Sequence, residues 1–148
     1  MPFESADKMP EGLDVLFLPG LVGKFDGPLE TGETVYPSSA TDVEKVLRGA
    51  GLKVGYAVEP RASVGLKAAE WWAPILVFTV DALKAGAADL VVAYLRELFP
   101  PAELRKMPLH IKAGCERPDG LREWYEGDGP GEQVLEGFVA WQDRERAR

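Results

Sequence analysis

The sequence predicts an α/β domain: a mainly parallel sheet of four to five strands flanked by helices, ending in a C-terminal antiparallel hairpin and a closing helix. Three observations carry this expectation. Short apolar runs of strand length, such as residues 13–18 (LDVLFL), alternate with segments whose apolar residues recur at helical spacing. The turn Pro118-Asp119-Gly120 separates the last two strand-like runs, because proline presets the first corner and glycine accepts a positive φ. The final segment places Val134, Leu135, Phe138 and Trp141 on one helical face. A chain of 148 residues fits one domain that hides roughly 70% of its unfolded surface, so one real core is expected.

Residues 1–12 hold two prolines and mixed charges without an apolar period, and they read as a flexible leader to a single domain over 13–148. The run 13–18 is almost continuously apolar and is closed by Pro19 and Gly20, which suits a strand buried on both faces. The loop 19–40, rich in glycine and proline, is long for a compact domain, and residues 33–36 are a candidate hairpin arm within it. Thr41 opens a capping box with Glu44, after which Val43, Val46, Leu47 and Ala50 share a helical face and Gly51 supplies the left-handed stop. Residues 52–59 (LKVGYAVE), bounded by Pro60, read as the second strand.

From Ser63 or its successor a short helix is expected through Trp72, ended by Pro74, which disfavours α conformation at Ala73 and lacks an N–H. Two outcomes then stay open. Either residues 75–80 (ILVFTV) form a third strand and 86–99 the next helix, or Pro74 begins one long helix to Phe99. Apolar residues at nearly every position of 75–80 favour the strand. Ala87, Leu90, Val91, Tyr94, Leu95 and Leu98 form the stripe of the following helix, which Pro100-Pro101 stops. Residues 109–114 (LHIKAG) alternate like a strand with one wet face, 121–126 return, and the breaker cluster GDGPGE precedes the closing helix.

Seventeen Lys and Arg against twenty-four Asp and Glu leave a net charge of −7, a field that repels phosphate backbones and anionic lipid, so neither nucleic acid nor membrane is an expected partner. The apolar stretch 71–99 is interrupted by Asp81, Lys84, Asp89, Arg96 and Glu97, and reads as core instead of a membrane span. Cys115 is the only cysteine, which precludes an intramolecular disulfide, and residues 1–12 carry no signal-type segment; a cytoplasmic location is expected.

The chemistry-bearing residues are sparse. His110 and Cys115 are each single, and their odd spacing on a strand sends them to opposite faces, so no metal site is expected. A hydrolytic triad would have to use His110, and no Gly-x-Ser-x-Gly elbow is present. No spacing singles out two carboxylates for acid and base roles. The segment Gly20-Leu21-Val22-Gly23-Lys24 fails as a phosphate loop, with two residues between its glycines and Phe25 after the lysine. No catalytic residue and no cofactor is therefore expected. Four tryptophans instead suggest an interface: adjacent Trp71 and Trp72 cannot share one side of a helix, and with Trp124 they are the candidate binding residues, Trp141 being assigned to the core.

From residue 43 onward the chain resembles the small effector-associated constant-component family of bacterial conflict systems. The similar segments are VEKVLRGAGLKVGYAVEP, VGLKAAEWWAPILVFTVDAL, GAADLVVAYLREL, the hairpin around Pro118-Asp119-Gly120 and the closing helix. That resemblance implies a non-enzymatic module that sits beside or recruits an effector such as a protease or a nucleotide-degrading domain. The order LDVLFL, helix, GLKVGYAVEP and ILVFTV is also similar to the Toll/interleukin-receptor (TIR) fold, some members of which are glutamate-dependent NAD glycohydrolases. The helix expected to carry that glutamate here offers Asp89 first and Glu97 near its end, so only the scaffold carries over. The expected function is a protein-interaction or adaptor module whose partner is an effector protein or a second copy. The alternatives are a small-molecule (nucleotide) binding or degrading domain with its site at the carboxyl ends of the strands, and an immunity or inhibitor protein.

Overall fold

The computed structural model describes residues 8–21, 25–26, 35–58, 62–64 and 70–148. Residues 1–7 of the expected leader, Glu33 and Thr34 of the candidate hairpin arm, and 65–69 of the expected short helix lie outside these. In chain order the elements are β1 (Val15–Leu18), β2 (Gly20–Leu21), β3 (Phe25–Asp26), β4 (Val35–Pro37), α1 (Ser39–Gly49), β5 (Val54–Tyr56), β6 (Ala62–Val64), β7 (Trp71–Trp72) and β8 (Ile75–Thr79). They continue with α2 (Val80–Lys84), α3 (Ala87–Leu98), α4 (Pro101–Lys106), β9 (Pro108–Glu116), β10 (Arg122–Pro130) and α5 (Gly131–Ala147). Among the described residues no helix is long and apolar enough to cross a membrane.

The class is α/β, but the sheet is mixed where a mainly parallel one was expected. Its order is β10-β9-β8-β1-β5, with β7 also on β9. The pairs β1–β5, β8–β9 and β7–β9 are parallel, whereas β1–β8 and β9–β10 are antiparallel. A parallel crossover, β1–α1–β5, thus lies beside a second one, β8 to β9 through α2, α3 and α4, running the opposite way. Strand polarity depends on which distant segment supplies the ladder, and no local pattern records that.

Two corrections concern helix signals. Helix α1 begins at Ser39, so Thr41 lies inside it, and Glu44 binds Arg48 at 2.7 Å and the Tyr56 hydroxyl at 2.8 Å instead of capping. Trp71 and Trp72, expected at the end of a helix, are a strand paired with Leu109 and His110. Trp72 opposes His110 and Leu76 opposes Ala113, so residues 73–75 face only 111–112. The extra residue makes a bulge at Pro74, a place where a missing N–H leaves no gap in a ladder. Pro74 therefore separates two strands, and 75–79 is the strand that the apolar run favoured.

Elsewhere, the described part of the candidate arm in the long loop, Val35 and Tyr36, belongs to a strand that pairs in parallel with Ala62–Val64, while Gly20–Leu21 pairs antiparallel with Phe25–Asp26. Pro100-Pro101 ends α3 as expected, but Pro101 also starts α4, occupying a position where its missing N–H is harmless. The cluster GDGPGE is not a simple breaker, since Gly127 to Pro130 extend β10 to nine residues opposite β9. Of the cluster's glycines, Gly127 lies under the Tyr125 side chain, as does Gly137 of α5: a Cβ on either would stand 2.5 or 2.7 Å from the Tyr125 hydroxyl, which donates to the Val134 carbonyl at 2.7 Å.

Helices α1 to α5 all contribute buried side chains to one cluster with Val15, Phe17, Leu76, Phe78, Leu109, Ile111, Ala113 and Cys115, and they cover one face of the sheet. Alternate residues Leu16, Leu18, Trp72, Ile75 and Val77 form a second cluster on the other face, against Met9, Leu13 and Trp124. Both faces of β1 are thus dry, as its continuous apolar run requires. Cys115 belongs to the helix side, where burial pushes its thiol above the ordinary value.

Helix α5 enters over the end of α4. The Gly131 N–H donates to Met107 O at 2.8 Å, and a Cβ on Gly131 would lie 2.3 Å from the Leu104 carbonyl oxygen. Gly131→Ala is expected to destabilise the fold by about 1–3 kcal/mol, because backbone on backbone cannot be relieved by a rotamer change. A urea midpoint equal to wild type would contradict this docking.

Candidate functional site

A cleft of about 290 Å³ opens where α1 begins, beside β7 and under α3, at the end of the sheet where Leu18 closes β1 opposite Ile75. Carboxyl ends of strands preceding a crossover helix are the usual ligand position in α/β sheets. The walls are Pro37, Ser38, Ser39 and Asp42 from the entry to α1, Glu70, Trp71 and Trp72 from β7 and its approach, and Tyr94 and Leu98 from α3.

Local chemistry fixes each wall. The Tyr36 hydroxyl donates to Val58 O at 3.1 Å and accepts from Val58 N–H at 3.2 Å, while its ring meets Tyr56 edge-on at 4.9 Å, anchoring the segment that leads into α1. Ser39 donates its hydroxyl to the Trp72 carbonyl, tying the first turn of α1 to β7. That proton is committed, so Ser39 acts as a strut and not as a nucleophile. Tyr94 on α3 faces Asp42 on α1; burial first, and then the nearby Asp42 carboxylate, raise the phenol above its usual pKa. Leu98 is 46% exposed and forms an apolar lip.

Glu70 links this cleft to a polar chain on the helix-free side. Its Oε2 lies 2.6 Å from His110 Nε2, and His110 Nδ1 lies 2.5 Å from Asp128 Oδ1. The imidazole also stacks on Trp72 at 4.3 Å with a 13° interplanar angle. Both ring nitrogens are occupied by carboxylates, so the ring orients Glu70 and Asp128 and offers no free lone pair to a ligand. Among the described residues no three His, Cys, Asp or Glu side chains converge as a metal site.

The three tryptophans singled out by sequence do not make one patch. Trp71 is half-buried against the helix-side core and lines the cleft. Trp72 is buried, with 7% exposure, and points to the opposite face, as adjacent strand residues do. Trp124 is half-buried on that same face, lying over Gly114, where an added Cβ would approach the indole to 3.0 Å, with the Lys112 ammonium 5.2 Å from its ring centroid. Asp42, Glu70, Tyr94 and Asp128 were not singled out. One signal was available: His110 and Asp128 stand equally far from Asp119, so a hairpin centred on that turn makes them cross-strand partners. Nothing in the sequence signals that Glu70 reaches the same ring.

No protein-family model, no curated protein and no solved structure matches the chain.

Proposed function

We propose that this protein is a non-catalytic interaction module that holds another protein by a lysine or arginine side chain inserted into the cleft at the start of α1. The observation that carries the reading is the convergence of Asp42 and Glu70 on one cleft walled by the Trp71 indole. Two carboxylates attract a cation, the aromatic face adds a cation–π contact, and the Leu98 lip suits the aliphatic stem of a long basic side chain. Glu70 is held in place by His110, which reduces the ordering needed on binding. The net charge of −7 steers a basic partner toward the protein. On the resemblance to effector-associated modules that partner is an effector; an inhibitor role differs only in who the partner is.

The test is titration of the protein with lysine- and arginine-rich peptides by calorimetry at low and physiological salt. Asp42→Asn and Glu70→Gln are each expected to weaken binding by roughly tenfold, and Trp71→Ala by a similar factor, since each removes one charge-assisted or aromatic contact of about 1.4 kcal/mol. Circular dichroism should be unchanged. Basic peptides that fail to bind the wild type, or that bind the Asp42→Asn/Glu70→Gln double variant as tightly, would sink the proposal.

A second reading has one specific observation behind it, the Glu70–His110–Asp128 chain beside a cleft at the carboxyl end of β1. It would make the domain a small-molecule enzyme in which Glu70 is the working carboxylate. Turnover of NAD or a related nucleotide, abolished by Glu70→Gln, would establish it over the first reading; neither turnover nor a thermal shift with nucleotides would remove it.

A further inference from the structure

We propose a second, separate site: a cleft at the other end of the sheet that binds a small phosphate-bearing molecule. Strands β8 and β9 are parallel neighbours, and the register of Thr79 against Glu116 brings their carboxyl ends side by side. A cleft of about 560 Å³ opens there, within the usual size for small-molecule sites. Lys8, Lys84, Arg117 and Arg148 line it, against the carboxylates Asp81 and Glu116. In a chain whose acids outnumber its bases twenty-four to seventeen, this is a local reversal of sign.

The pairing of these charges leaves two lysines, Lys8 and Lys84, against one carboxylate, Asp81. Glu116 is occupied, accepting from Met9 N–H at 3.0 and 3.2 Å and from Arg122 Nε at 3.0 Å. Arg117 and Arg148 converge on a single carboxylate, Glu145, at 2.7 and 3.2 Å, and Arg148 also comes within 3.8 Å of Glu123. Glu145 is almost wholly buried and fixes both guanidiniums at the rim, with Glu123 beside Arg148 as the second carboxylate. Lys8 and Lys84 have no ion-pair partner among the described residues. The Lys8 stem is laid over the hairpin turn, where a Cβ on Gly120 would meet its Cε at 2.9 Å. Lysines and arginines that line one cleft from the approach to β1, from α2 and from the residues just after β9 and α5 are suited to a phosphate group, a dianion with several acceptor oxygens. A single carboxylate would leave most of the donors unused.

Inorganic pyrophosphate is the probe, titrated by calorimetry into the whole protein at low salt, with amide chemical shifts followed by NMR. Saturable binding is expected, with shifts confined to Lys8, residues 79–84 and 116–118, and Arg148. Lys84→Gln and Lys8→Gln should each weaken it by roughly fivefold or more, because each removes one charged contact. Both lysines are exposed and unpaired, so neither change threatens folding. Lys45→Gln, on the exposed side of α1, should leave binding unchanged, as should Asp42→Asn, which keeps this outcome independent of the interaction cleft. Absence of saturable binding would overturn the site, as would equal weakening by Lys45→Gln, which would mean diffuse attraction, or wild-type affinity in both the Lys84 and Lys8 variants.

Discussion

Phe138→Ala is expected to reduce folding stability by about 3–5 kcal/mol. The ring is fully buried at the centre of an aromatic group that joins α5 to the sheet. It stacks on Trp141 at 5.9 Å and on Tyr125 at 5.7 Å, and it meets Phe78 of β8 at 6.5 Å. Truncation removes the transfer energy of a whole ring and leaves a cavity that three other rings, locked by their own contacts, cannot collapse to fill. In a domain of this size the midpoint of thermal unfolding should fall by roughly 10 °C or more. Phe138→Leu, which restores most of the volume, should recover much of the loss. A loss below about 1 kcal/mol by urea denaturation would mean that α5 is not packed on β8 and β10 as described.

Glu145→Ala should be comparably severe, at about 3 kcal/mol. Glu145 is 4% exposed and accepts from Arg117 Nη2 at 2.7 Å, while the same guanidinium nitrogen also donates to the Glu145 carbonyl at 3.1 Å. Removing the carboxylate leaves the mostly buried Arg117 without its counter-ion, and that uncompensated charge is the larger part of the expected loss. The physical claim is tested by a double-mutant cycle. Arg117→Met combined with Glu145→Ala should be more stable than Glu145→Ala alone, because the stranded charge is gone. If the double variant were instead destabilised by the sum of the two single changes, the pair would not be coupled. The same pair connects stability with the proposed phosphate site, since it holds Arg117 and Arg148 at the rim before any ligand arrives.

Much of the architecture was legible because its signals are local. The stripe from Ala87 to Leu98 forms the helix it describes, residues 75–79 form the strand that their apolar run favoured, and Pro118-Asp119-Gly120 turns the hairpin with Gly120 at φ +88°. The odd spacing of His110 and Cys115 did send them to opposite faces. Trp71 and Trp72 were misread because the helix-forming residues before them resemble a helix, whereas pairing with Leu109 and His110 makes them a strand. The GDGPGE cluster was read as a break because glycine and proline usually make one; here pairing of residues 127–130 with the long strand β9 holds them extended.

The candidate site was hardly legible at all. Asp42 and Tyr94 meet only because α1 and α3 lie side by side, and Glu70 reaches His110 across forty positions of sequence. Periodicity, turn residues and charge composition are written within a few residues of one another, and they determined the α/β class, the five strands that make the main run of the sheet, helices α1, α3 and α5, and the acidic field. Strand polarity, the opposite facing of Trp71 and Trp72, and the convergence of carboxylates in one cleft and cations in another were decided by tertiary structure. Those features depend on hydrogen-bond ladders and side-chain contacts between segments far apart in the chain, and a local pattern carries no information about which distant partner completes it.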